Sequence, residues 1–254
     1  MHHAYIDKYA HLDSPVHRLD SRVKTIVVLI FSVVVVSAGK YKVVELVPFA
    51  ILPFSMILVG GIPVRFVLRQ TLWVSPFVVF VALLNPVFDA EKVRVTLGGG
   101  EFLVRRGWLS CGSIVVKFTL TVSALMALMS TSKFSDLLRG LESLRVPKVF
   151  IMQLSLVYRY LFVLVDEVMR MTRAAEGRAL SLRGRLGVAR AYVSIIGTLL
   201  VRTLDRAERV HKAMVGRGFD GTVRTLTAPR LAVADFVFLG GAVAFVLVVR
   251  LAFV

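Results

Sequence analysis

The chain has almost no cysteine and little acid for its content of base. The single thiol, Cys111, cannot close an internal disulfide and excludes a cysteine-based metal cluster. Asp and Glu number 16 against 32 Lys and Arg, a formal net charge of +16. Yet 57% of the residues are hydrophobic and the mean hydropathy is +0.76. A soluble domain is about 45–50% apolar, and one this basic would be polar and bind nucleic acid. The two properties are compatible in an integral membrane protein whose charges lie outside the bilayer. That disfavours a secreted disulfide domain, a disordered basic tail and an ordinary cytosolic enzyme.

Catalytic equipment is missing too. There is no Walker A loop, no His-Glu-x-x-His helix, and no Asp pair or Ser–His arrangement within an apolar run. The apolar runs carry no ionisable residue at their middles: Glu45, Lys117, Asp235 and Arg250 all fall near run ends. Ion-coupled carriers need charged groups at depth. His2, His3 and His11 would make at most a weak transition-metal site with no acidic or thiol ligand to complete it, so they read as a polar tail. No catalytic residue, no metal site and no cofactor bound by this chain are expected. A cleaved signal peptide is a poor fit, because Asp7, Asp13 and Asp20 interrupt any positive N-terminal region.

What is present is apolar length. Five runs, near 25–38, 46–60, 72–88, 113–130 and 231–249, approach the length needed to cross about 30 Å of hydrocarbon. The first is short, so Lys24 is expected to finish it by snorkelling. Pro48, Pro53, Pro76 and Pro86 lie inside the second and third runs, where neighbouring groups can satisfy the freed backbone. A sixth stretch, 149–165, carries Arg159 near its middle and basic residues on both flanks, so it reads as a helix outside the bilayer core. Gly98-Gly99-Gly100, between Val- and Thr-rich residues, predicts the turn of a small outer hairpin.

Five spans place the two ends on opposite sides. With the N-terminus in the cytosol, 24 of the 32 Lys and Arg fall on the inner side, 18 of them in 131–230. The expected organisation is an all-α polytopic membrane protein of the plasma membrane. Residues 1–130 form a membrane region of four spans, 131–230 a cytosolic domain of two long amphipathic helices, and 231–254 a fifth span.

The basic domain has helical order. One stripe runs Phe150, Leu154, Val157, Leu161, Leu164, Val168, Met171, Ala175, and its next step lands on Arg178. A second runs Val193, Ile196, Leu200, Thr203, Ala207, Val210, Met214, and its next step lands on Arg217. Gly177-Arg178-Ala179 closes the first helix and Gly216-Arg217-Gly218 the second. Glycine permits the left-handed turn that ends a helix, and arginine in the last turn suits the helix dipole. The guanidinium fork would then point outward, suited to a carboxylate on another protein. The plain alternative is that both arginines only cap helices; their matched contexts favour a docking device. Nucleic-acid binding fits poorly, since apolar stripes alternate with mixed charge.

These motifs carry a resemblance. Asp13-Ser-Pro-Val-His-Arg-Leu-Asp-Ser-Arg-Val-Lys24 is similar to the N-terminal Ser-Pro-x-His-Arg-Leu-Asp-x-Arg-x-Lys of the transmembrane T components of energy-coupling factor (ECF) transporters, especially the cobalt/nickel type. Ala213-Met-Val-Gly-Arg-Gly-Phe-Asp-Gly221 resembles the second Ala-Arg-Gly motif of that family, and Arg173-Ala-Ala-Glu-Gly-Arg-Ala179 the first more loosely. Gly177 and Gly216 stand where the family usually has Ala, and Ala179 where it has Gly, so the carry-over rests on Arg178 and Arg217. The resemblance implies a non-catalytic subunit whose coupling helices dock on two ABC-type ATPase subunits, which bind the ATP. It would pass their motion to a membrane S component that holds the substrate, cobalt or nickel for this type, or a vitamin. The alternatives are a self-contained carrier, a membrane enzyme, or an anchor whose basic helices bind anionic lipid.

Overall fold

The computed structural model describes residues 12–39, 43–88, 92–97, 100–178, 185–221 and 232–252. It is a helical protein with one small hairpin, and it divides into two compact units: Met1–Ser143 with Pro229–Val254, and Leu144–Ala228.

The first unit begins with the one-turn helix α1 (Pro15–Arg18), which has proline in its first turn. Asp20 then starts α2 (Ser21–Ser37), its carboxylate accepting from the Arg22 amide at 2.8 Å. Val23, Val27, Val28, Phe31 and Val35 of α2 are buried, and they form the centre of the apolar core. Around it lie α3 (Ile51–Val59), α5 (Arg106–Thr131), α6 (Phe134–Ser143) and α9 (Val233–Ala252). The long helix α4 (Val64–Phe88) packs on α5 and leaves Trp73, Phe77 and Phe80 largely exposed. That exposed aromatic face is what a lipid-facing helix presents. Between α4 and α5 the strands β1 (Lys92–Leu97) and β2 (Gly100–Arg105) pair antiparallel, Leu97 opposite Gly100. The hairpin expected from the glycine cluster is therefore present, though Gly98 and Gly99 lie outside the described residues.

Two expectations need correction. The run 46–60 is not one helix. It opens in two 3-10 turns, Val44–Leu46 and Pro48–Ala50, before the nine-residue α3. Pro48 opens the second 3-10 turn, and Pro53 falls in the first turn of α3, where its missing amide donor leaves no helical bond unmade. The second concerns Lys117. The helix α5 starts at Arg106, seven residues before the apolar run, so Lys117 lies near its middle rather than near an end.

By length and composition, five helices among the described residues can cross a membrane: Val64–Pro86, Arg106–Thr131, Lys148–Gly177, Gly187–Gly216 and Val233–Ala252. Three coincide with the predicted runs. The apolar helices α2 and Pro48–Val59 fall short of that length, and two long helices of the second unit reach it.

The pairing of α2 with α5 explains both lysines. Lys24 on α2 is 1% exposed. Its ammonium donates to the carbonyl of Thr131, the last residue of α5, at 2.8 Å, and to Val16 of α1 at 3.2 Å. Lys117 on α5 donates in return to the carbonyls of Ala38 and Val36 at the end of α2, at 2.6 and 3.2 Å. The last carbonyls of any helix lack intrahelical partners, and a cation there also suits the dipole. Each helix thus caps the other. Fourteen residues separate Lys24 from Ala38, and fourteen separate Lys117 from Thr131, about 21 Å of helix in each case.

The same end of the unit is tied to α9. Asp235, 3% exposed, accepts from the Asp20 amide and from the Ala232 amide, both at 2.8 Å. At the other end, a Cβ on Gly107 would sit 2.4 Å from the Pro86 backbone, so α5 can start against the end of α4 only with glycine. We expect Lys24→Met to lower stability by about 1.5–3 kcal/mol, read as loss of thermal stability in detergent. Gly107→Val should cost about 1–3 kcal/mol or more by forcing backbone apart, in the same assay.

Candidate coupling helices

The second unit is built on α7 (Lys148–Arg178) and α8 (Arg185–Gly216). The residues of α7 and α8 that line the clefts between them pair early with late, Met152 beside Met214 and Ala175 beside Ala191. The helices are therefore antiparallel. On α8 the facing residues fall in rows four apart, Ala191-Ile195 continuing at Thr203-Ala207-His211, and Ser194-Thr198-Arg202-Arg206-Val210-Met214.

This settles the fate of the two predicted stripes. On α7, Val157, Leu161, Leu164, Met171 and Ala175 do face α8. On α8, Thr203, Ala207, Val210 and Met214 face α7, but Val193, Ile196 and Leu200 are 59–69% exposed. Val193, Ile196 and Leu200 therefore lie off the face that α8 turns to α7.

Two clefts lie between the helices. One, about 370 Å³, is walled mainly by apolar residues such as Leu161, Leu164, Val210 and Met214. The other, about 560 Å³, is walled by small residues, Ala174, Ala175, Ala191 and Ser194, and carries the charge cluster. There Glu167 receives Arg170 at 2.6 Å on one carboxylate oxygen and Arg202 of α8 at 2.6 Å on the other. The Arg202 bond is a link between the helices that the sequence did not disclose, since the partners are 35 residues apart. Elsewhere the pair is bare: Phe150, Val193 and Ile196 are all more than half exposed.

The predicted docking residues lie at helix ends. Gly177 is exposed in the last turn of α7, and Arg178 is its final residue. Ala179 lies outside the described residues. Gly216 ends α8, and the chain then turns in a Schellman motif. The Phe219 amide donates to Met214 at 3.1 Å and the Gly218 amide to Val215 at 2.9 Å. Gly218 adopts φ +79, the left-handed conformation this motif requires. Arg217 occupies the cap itself, is exposed, and has no ion-pair partner among the described residues. Because the helices are antiparallel, Arg178 and Arg217 sit at opposite ends of the pair. From the Glu167–Arg202 link the helices run eleven and fifteen residues outward, a separation of about 40 Å.

No group of His, Cys, Asp or Glu among the described residues could hold a metal ion. What the second unit offers chemically is exposed apolar surface and guanidinium groups at widely spaced ends, which suits protein contacts.

The family described as "Cobalt transport protein", CbiQ, matches residues 13–228. The cobalt transport protein CbiQ of Rhodobacter capsulatus is 30% identical over 205 residues, 80% of each chain. The energy-coupling factor transporter transmembrane protein EcfT of Heliobacterium modesticaldum is 29% identical over 230 residues, 85% of this chain and 84% of its own. An uncharacterized protein of Methanocaldococcus jannaschii is 22% identical over 240 residues, 92% of this chain and 82% of its own. The matched span takes in both the N-terminal Ser-Pro-x-His-Arg motif and the two coupling helices, and this multi-pass membrane protein belongs to the CbiQ family, the transmembrane T components of ECF transporters.

Proposed function

We propose that this chain is the non-catalytic coupling subunit of an ECF-type importer. It would transmit the closure of two ABC-type ATPase subunits to a membrane S component, and the system would import cobalt or a chemically similar divalent metal. The observation that carries the reading is Arg217: an exposed residue with no ion-pair partner among the described residues, held at a helix end by a glycine-dependent turn. Its counterpart Arg178 ends the other helix. A separation of about 40 Å suits two docking points on two ATPase subunits better than one composite site.

In this reading the first unit is the membrane region and residues 131–230 form the cytosolic side, with the N-terminus inside. Three features support that side assignment. The ends of α5 and the starts of α2 and α9 share one face. Most of the basic residues lie in the segments that leave from that face. Arg159, Asp166, Glu167 and Arg170 make α7 a costly span despite its length. The bare apolar faces of α7 and α8 would then be covered by the S component and the membrane surface. The cobalt assignment draws on the family and on the Rhodobacter relative that bears that name.

The Arg170 hydrogen bond, then that from Arg202, hold the Glu167 carboxyl below its ordinary value. The link between the helices therefore persists at neutral pH.

Arg217→Glu and Arg178→Glu should each reduce co-purification of the ATPases about tenfold or more and abolish metal uptake, while the chain still inserts. Normal assembly and uptake in the double variant would refute the reading. Substrate-dependent transport by the chain purified alone would do so as well. If the Glu167–Arg202 link sets the packing of α7 on α8, Arg202→Glu should lower uptake at constant expression. The paired exchange Glu167→Arg with Arg202→Glu should restore part of it, measured as metal accumulated per unit of assembled complex.

A further inference from the structure

The helix ends of the first unit enclose a cavity of about 330 Å³. The starts of α2, α6 and α9 and the end of α5 all border it. Three carboxylates and three cations stand on its wall, and their situations differ. Asp235 is engaged by the Asp20 and Ala232 amides, and Asp20 by the Arg22 amide. Asp136 pairs with Arg139 at 2.8 Å. The carboxylates are thus satisfied from within the fold. Arg18 and Lys133 are exposed and have no ion-pair partner among the described residues. Ser132 also lines the cavity; it is 3% exposed, and its hydroxyl has no hydrogen-bond partner. A buried hydroxyl without a partner is uncommon and marks a place where something polar is missing.

The formal charges on this wall balance, but Asp20 and Asp235 are engaged by amides and Asp136 by Arg139. Arg18 and Lys133 remain, and three helix N-termini direct their dipoles at the same region. We propose that the cavity binds a phosphate group, supplied by the headgroup of an anionic phospholipid or by free phosphate. Arg18 would offer its planar fork, Lys133 a point charge and Ser132 its hydroxyl. The location favours a headgroup, because the cavity lies where the helices of a membrane unit end. The three ligating groups come from the α1–α2 junction and the α5–α6 junction, so an occupant would add a polar bridge to the packing of α2 on α5 and α6. The inference rests on the first unit alone and stands apart from the coupling role.

The test uses the full chain purified in neutral detergent. Native mass spectrometry after exchange with phosphatidylglycerol or phosphatidylcholine reads lipid retention. Thermal melts with inorganic phosphate, against chloride at matched ionic strength, read the free ion. Phosphatidylglycerol should be retained in preference to phosphatidylcholine, and Arg18→Gln with Lys133→Gln should weaken that retention about tenfold. Ser132→Ala should weaken it less. A melting shift with phosphate that the same variants abolish, without lipid retention, would assign the site to the free ion. Both substituted cations are exposed, so the variants should keep the ligand-free melting temperature; if the pair does not, Lys133→Gln alone gives the comparison. The proposal is overturned if the wild type responds to neither probe, or if a folded variant binds both as the wild type does.

Discussion

The first unit depends on the reciprocal capping of α2 and α5. A helix of 17 residues is about 25 Å long, short against a hydrocarbon layer of about 30 Å. Its last carbonyls would be left without partners in a low-dielectric layer, where each unsatisfied group is expensive. Lys117 resolves this by reaching from the middle of α5 to Val36 and Ala38. Lys24 does the converse for Thr131. Because the two lysines are equally far from the carbonyls on their own helices, one register satisfies both, and a slip of either helix breaks both. Register is therefore fixed by polar contacts at the two ends, while Val27, Phe31, Ala124 and Ala127 fill the space between. The N-terminal motif then has a structural account: Ser14 bonds His17, Asp20 caps α2 and meets Asp235, and Lys24 closes α5.

Much of this was open to reading from the residues, and the rest was not for definite reasons. Apolar length located α4, α5 and α9, and the glycine cluster located the hairpin. The glycines at 216 and 218 located the end of α8, and Gly218 adopts the left-handed backbone conformation. Prolines misled, because their cost depends on whether neighbours supply the missing bonds, which pattern alone does not reveal. Run boundaries placed Lys117 too near an end, because α5 continues through Arg106, Gly107 and Trp108, residues whose hydropathy is mixed. The Glu167–Arg202 and Lys24–Thr131 contacts join positions 35 and 107 apart. No local signal announces a partner at such a distance.

Arg170 lies on α7 with Glu167 and orients its carboxylate, and Arg202 alone carries the bond across to α8. The small residues around that bond, Ala174, Ala175, Ala191 and Ser194, leave a cleft rather than a packed seam, so the link between the helices there is charged.

Charge at depth is often taken as a sign of ion binding or proton relay. In this chain that inference fails for an identifiable reason. The ammonium groups of Lys24 and Lys117 are directed at helix-end carbonyls, which have fixed positions and do not titrate. A relay needs a group that changes its protonation state and a path along which the proton moves; a lysine held by the carbonyls of two helix ends instead loses a structural bond whenever it loses its proton. Lys24 and Lys117 thus act as caps, and the packing of α2 on α5 depends on both.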